Sequence, residues 1–410
     1  MFTAEVQSWL HDPDPKTFPY DAVVRHFHSV GKHFVPPELL KLLAEVRDQL
    51  PALRGPWAHV QTLAEFLGTA LDKPDQRYDY PTYLALSQLR LPTVDDPVAQ
   101  APFARSRCDR LTVQLVADAL AFEIAAADGR TTLLPRMRPG PELVAKRCKH
   151  GLRAIRPALR RMALDRGLSE IEPLEMARQV SSVVRADTSF AERQALELTV
   201  LPVYTAHDEY LFLRVLQTFE TTFALLAVQL RAAVAALAER DVDRTVHMLA
   251  SSQTALQDAA PMFSVLATMQ VESFRTFRQF TEGASAIQSR NYKLVEALCR
   301  MPDRERVDSS AYRSVPDVRR RITSGQHVTL DDAYRELCAT DEVSEMDRER
   351  LADAMRGFAH ALLRWRNTHY RLAVRMLGDA TGTGYTEGTP YLAAVRSISV
   401  FRTVETAKIS

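Results

Sequence analysis

Residues 351–376 read LADAMRGFAHALLRWRNTHYRLAVRM. Leu351, Met355, Phe358, Leu362, Trp365, His369, Leu372 and Met376 recur at alternating steps of four and three, which places them on one stripe of a single helix. Working outward, Phe212, Val215, Phe219, Phe223, Leu226, Leu230 and Leu237 trace a comparable seam over 212–237. A third run over 262–277 adds Met262, Leu266, Met269 and Phe277. The stretch LTVQLVADALAFEIAAA at 111–127 is apolar almost all round and reads as a buried helix. Several long helices packed on one another follow, and the chain is expected to be all-α.

The rest of the sequence agrees. Gly 14 is few for 410 residues, and alternating Val/Ile/Thr runs bounded by tight-turn dipeptides are absent. Eleven prolines between Pro13 and Pro97 cut the first hundred residues into short helices joined by turns. The segment 300–330 is polar, holds two prolines and reads as a long loop, after which Thr329 and Asp332 offer a capping-box start for the next helix. No internal repeat is evident.

Composition narrows the function classes. Hydrophobic residues at 46% and charged residues at 25% fit a soluble globular chain, and the length suits one large or two moderate domains. Lys+Arg 52 against Asp+Glu 51 leaves +1, so no global field draws nucleic acid or a membrane surface. Nine Lys/Arg against Glu142 alone crowd residues 136–161, a pattern expected of a solvated helix face or of partners for acids elsewhere in the fold. Cys108, Cys148, Cys299 and Cys338 lie far apart, which suggests neither a zinc site nor a disulfide framework. The N-terminus lacks a basic start and an apolar signal core, and no apolar run approaches the roughly 20 residues of a membrane span. A cytoplasmic protein with no nucleic-acid or membrane partner is expected. His26, His28 and His33 have loose metal-like spacing without Cys or carboxylate support and read as surface histidines.

His369 has two readings. An imidazole inside an apolar stripe is most often a core residue bonded to a backbone carbonyl. Alternatively it is an axial ligand to haem iron, which needs an apolar slot between helices and one neutral nitrogen. His360 lies nine residues earlier, about half a turn out of phase, which disfavours a two-histidine zinc site on this helix.

The surroundings carry more information. Trp365-Arg366-Asn367-Thr368-His369, then Arg375-Met376-Leu377-Gly378, Gly382-Thr383-Gly384 and Tyr391-Leu392, resemble the proximal helix and glycine-rich loop of tryptophan 2,3-dioxygenases. HDEYLFLRVLQTFE at 207–220 is similar to that family's distal-helix motif, and FRTFRQFTEGASAIQS at 274–289 to its substrate-binding stretch. Asp79-Tyr80-Pro81-Thr82-Tyr83-Leu84 faintly resembles its first helix. The likeness covers roughly 207–395, about half the chain.

The resemblance implies a helical bundle with a haem pocket, formed by 201–410, preceded by an extended helical region over 1–200. It implies haem b as cofactor, with His369 as the proximal metal ligand and Trp365 and Ser285 beside the haem. Arg278 becomes the carboxylate clamp of an amino-acid substrate, with pairing to Glu282 as its bland alternative. Thr383 becomes a contact to the substrate's ammonium and carboxylate, with Phe212 and Phe274 as pocket walls. His207 is taken as a helix-start residue. Leu216 stands where the family places a distal histidine, Phe274 where it has a tyrosine, and Ala286-Ile287 where it has Gly-Phe. More than 120 residues separate the first-helix motif from 207, where the family has a short connector. The implied activity is a haem-dependent oxygenase that inserts dioxygen into the indole of tryptophan or a tryptophan-like amino acid to give a formylkynurenine-type product. A homo-oligomer is also expected. Hydroxylation of an aromatic amino acid and a non-catalytic haem-binding or ligand-binding module are the alternatives.

Overall fold

The computed structural model describes residues 2–93, 97–167, 172–340, 342–378 and 388–404. Short helices come first: α1 (Phe2–His11), α2 (Tyr20–Val30), α3 (Pro37–Gln49), α4 (Trp57–Ala70) and α5 (Tyr80–Tyr83). Longer ones follow in α6 (Pro97–Ala127), α7 (Pro141–Arg161), α8 (Pro173–Asp187), α9 (Phe190–Leu198), α10 (His207–Ala238) and α11 (Val242–Ala259). The remainder are α12 (Met262–Leu266), α13 (Val271–Arg278), α14 (Arg290–Cys299), α15 (Arg304–Val307), α16 (Ser310–Arg313), α17 (Pro316–Thr323), α18 (Leu330–Cys338), α19 (Glu345–Leu377) and α20 (Thr389–Arg396). Among the described residues the one β-type pairing is a bridge between Arg136 and Ala206, so the fold is all-α. Prolines open α3, α7, α8 and α17, where a missing N–H costs nothing. Side chains of Asp79, Ser189, Asp241, Ser289, Thr329 and Ser344 cap α5, α9, α11, α14, α18 and α19.

Helix α10 is the axis of the molecule. It is buried nearly all round, and α6, α11 and α14 pack against it while α19 lies over α11. By length and composition it could cross a bilayer, contrary to the sequence expectation, yet its apolar window is 83% buried inside the fold. The main core draws on residues from Ala101 to Val404, and thus on both sides of residue 200. A separate core joins α1–α4, with Leu198 and Leu201 completing it.

Two expectations fail. The apolar run over 262–277 breaks into α12 and α13, because at the break Thr268 offers its carbonyl to Arg147 (3.2 Å) and Gln270 donates its N–H to Asp208 (2.6 Å). The supposed loop of 300–330 is three short helices, α15–α17, which bury Val307, Ala311, Tyr312, Val318 and Ile322.

The start of α10 is fixed by three consecutive buried polar residues. His207 stacks on Phe122, with its Nε2 3.2 Å from Glu123. Asp208 meets Arg147 at 2.7 Å, and Arg147 reaches Glu123 at 2.8 Å. Glu209 accepts the N–H groups of Val203 (2.6 Å) and Tyr204 (3.0 Å) and the hydroxyl of Tyr83 (3.2 Å). The 200–204 segment in turn holds the N-terminal unit, through Lys32 N–H to Pro202 (2.7 Å) and His28 to Val200 (2.7 Å). Gly31 sits at this joint with φ +84°, where a Cβ would stand 2.8 Å from the Tyr204 backbone.

The basic segment of 136–161 therefore divides. Arg147 and Arg161 are partners for acids, Arg161 with Asp109 at 2.6 Å, whereas Lys146, Lys149 and Arg153 form an exposed face. Of the three N-terminal histidines His33 is exposed, while His26 and His28 are partly buried, His28 bonding to the Val200 carbonyl.

Candidate functional site

One face of α10 presents Phe212, Leu216, Phe219, Glu220 and Phe223 to a cavity that α19 closes with Trp365, His369, Leu372 and Met376. Their spacing of three and four residues on both helices is what brings two stripes to one space. Helix α13 adds Phe274, Phe277 and Arg278, the turn after it Ser285, and α5 Tyr80 and Tyr83. Phe212 packs on Phe277 and Phe274 with ring centroids 5.3 and 5.8 Å apart, making an aromatic corner.

His369 is held by rings. Trp365 lies 5.2 Å from it and Phe263 stacks at 6.4 Å, while Phe219 and Phe223 pack edge-on against Trp365. Burial pushes the imidazole down to about 4, so it is neutral at pH 7. No hydrogen bond of its ring acts on its titration among the described residues, in contrast to the carbonyl-bonded core histidine that periodicity favours. A neutral imidazole, partly exposed at a cavity wall, is the form that binds a metal.

Another part of the cavity wall is cationic. Lys293 and Arg366 line it, and both reach one carboxylate, Glu296, at 3.1 and 3.3 Å. Arg306 also contacts Glu296, at 2.9 Å. Burial acts to raise Glu296, but the charges of Lys293, Arg306 and Arg366 hold it at about 2. Three cations on one buried carboxylate leave an excess of positive charge beside the cavity, a costly state until an anion arrives. Nearby, Trp365 Nε1 and the Tyr391 hydroxyl are buried with no partner among the described residues. An apolar slot, a neutral imidazole, unpaired donors and excess cations fit a planar metallated ring that carries carboxylates, and haem b has that chemistry.

Arg278 is half-buried, and desolvation lowers its guanidinium below the ordinary value. Glu282, its bland alternative, faces His33 at 3.4 Å. Ser285 opens the turn that Gln288 closes, and Gln288 also accepts the Tyr80 N–H at 2.8 Å, tying α5 to the cavity rim. Burial pushes the Glu220 carboxyl up to about 7, against hydrogen bonds from Ser289, Tyr80 and Asn291. Thr383 and the glycines flanking it lie outside the described residues.

A family model described as Tryptophan 2,3-dioxygenase matches residues 191–327. Similar proteins named tryptophan 2,3-dioxygenase include one from Bradyrhizobium diazoefficiens, 27% identical over 260 residues, 53% of this chain and 92% of the relative. One from Polaromonas sp. is 26% identical over 49% of this chain and 79% of its own length. Another, from Ruegeria pomeroyi, is 27% identical over 52% and 88%. About half of this chain is thus similar to proteins named tryptophan 2,3-dioxygenase, and the family model falls within that half.

The structure brings Phe212, Leu216, Phe274, Arg278, Ser285, Trp365 and His369 to one cavity. Wall residues to which the sequence assigned no role include Tyr80, Tyr83, Phe263, Lys293 and Arg366. One signal for them was available: Lys293 and Glu296, three apart inside the otherwise apolar run YKLVEALC, announce a buried ion pair.

Proposed function

We propose that the chain is a haem-dependent oxygenase acting on tryptophan or a tryptophan-like amino acid, opening the indole ring to a formylkynurenine-type product. The observation that carries this reading is the neutral His369 in an apolar cavity that also holds excess buried cations. His369 would ligate the iron, Trp365 and Ser285 would lie beside the cofactor, and Lys293 and Arg366 would meet its carboxylates. Haem b, when bound, supplies the iron that activates dioxygen.

The chain's own residues do the positioning. Phe212, Leu216, Phe274 and Phe277 form an apolar wall that holds a flat ring and excludes water. Arg278, already stripped of part of its hydration, gains from a substrate carboxylate, which its planar fork binds through two oxygens. Thr383 is assigned to the substrate's ammonium and carboxylate. We assign the oxygenase chemistry to 201–410 and its support to 1–200, with Tyr80 and Tyr83 reaching the cavity from that support. A cytoplasmic setting and a homo-oligomer complete the proposal; light scattering on the purified protein tests the latter.

Hydroxylation or another oxidation of an aromatic amino acid is the second reading, favoured by Leu216 and Phe274, which are apolar where the resembled family has a histidine and a tyrosine. Oxygen-18 labelling separates the two. Two labelled atoms in a ring-opened product support dioxygenation, whereas one atom in a ring-intact product supports hydroxylation. No product from any indole or phenol amino acid leaves a non-catalytic module. In a dioxygenase lacking a distal acceptor, an N-methylated indole substrate binds about as well as the unmethylated one, and Leu216→His restores discrimination.

A further inference from the structure

A second cavity, of about 760 Å³, shares no lining residue with the His369 cavity. It lies where the last turns of α10 meet α17, α18 and the turn between them. Val234, Leu237 and Leu337 supply apolar wall, and Arg231 from α10 and Arg321 from α17 supply charge.

Both guanidiniums line this one cavity, and among the described residues no carboxylate pairs with either. Arg231 is lowered by burial and then by the Arg321 charge, with no carboxylate acting to raise it. Neither has an ion pair or hydrogen bond in the structure among the described residues. Arg240 at the same cavity is matched by Glu342, and the lining carboxylate Glu336 is exposed and bonds to neither arginine. His327, also in the wall and buried, gives Nε2 to the Ala297 carbonyl at 2.9 Å and leaves Nδ1 with no partner. Like charges brought together in a partly desolvated cleft repel, and an anion between them converts that repulsion into two charge-assisted contacts. Because both line one cavity and the charge of one is felt by the other, a single dianionic group suits them better than two separated carboxylates.

We propose that this cavity binds a small phosphate monoester, its phosphate held between Arg231 and Arg321 and its apolar body against Val234, Leu237 and Leu337. A volume in the range of small-molecule sites accommodates such a ligand. The assignment is independent of the chemistry proposed for His369.

Calorimetric titration of the full chain tests it, with phenyl phosphate, inorganic phosphate and succinate as probes. Phenyl phosphate should bind one per chain, more tightly than inorganic phosphate, and raise the melting temperature by mass action. Arg231→Gln and Arg321→Gln should each weaken it about tenfold or more. Without ligand both variants should melt no lower than wild type, since each removes a repulsion, and haem uptake at His369 should be unchanged. Arg321→Lys, which keeps the charge and loses the fork, should fall between them and guards against a misfolded variant. Undiminished binding in both glutamine variants overturns the site, as does the absence of saturable binding of either phosphate. Succinate binding as tightly as phenyl phosphate overturns the phosphate assignment.

Discussion

At the scale of single residues, His369 owes its character to what surrounds it rather than to any bond it makes. The unfolded chain titrates this imidazole near 6.5 and the folded chain near 4, so between those values the unfolded state binds more protons. Stability is therefore complete above pH 6.5 and falls on acidification by about 1.4 kcal/mol per pH unit over that window. Burial lowers His28 and His327 as well, so the informative comparison is with His369→Leu. Urea denaturation of the haem-free chain between pH 7 and pH 4 should show a shallower loss in that variant; identical slopes would contradict the buried neutral imidazole. For Arg278, replacement by Leu should weaken a carboxylated substrate by roughly 2 to 5 kcal/mol and its decarboxylated analogue far less. Equal losses measured by spectral titration would remove the clamp. His369, Arg278, Phe212 and Trp365 were legible because each sits in a linear motif. Lys293, Arg366 and Tyr80 were not given roles, since their importance arises only when α14, α19 and α5 meet.

At the scale of elements, α10 positions half the cavity because its first three residues are anchored to everything around them. Arg147 is fully buried between Glu123 and Asp208, so Arg147→Leu would strand two carboxylates and cost roughly 3 to 5 kcal/mol in urea denaturation. A loss no larger than that of a surface ion pair, about 1 kcal/mol or less, would show that this cluster does not hold α10 in place. The sequence announced the long helices through unbroken stripes of threes and fours. It disguised α15–α17, where Val307, Ala311, Tyr312, Val315, Val318 and Ile322 keep helical spacing beneath arginines that make the segment look polar. It also disguised the break between α12 and α13, whose cause is a bond from Asp208, far away in sequence.

At the scale of the whole molecule, the chain is one helical assembly in which the N-terminal unit, the 200–204 segment and α10 form a continuous support for the cavity. The extra length before residue 207 is partly absorbed by this support, since Glu123 and Arg147 both lie within it. Composition and periodicity yielded the all-α class, but they said nothing of this linkage, which depends on buried polar contacts between distant segments. The proposed function requires His369 to hold a haem in the cavity between α10 and α19. Titrating the purified haem-free chain with haemin, followed by its Soret absorption, tests that claim most directly. The wild type should take up one haem with a histidine-ligated spectrum that shifts when tryptophan is added, and His369→Ala should lose the band while its far-ultraviolet circular dichroism stays helical. A full Soret band in the alanine variant, or none in the wild type, would contradict the account.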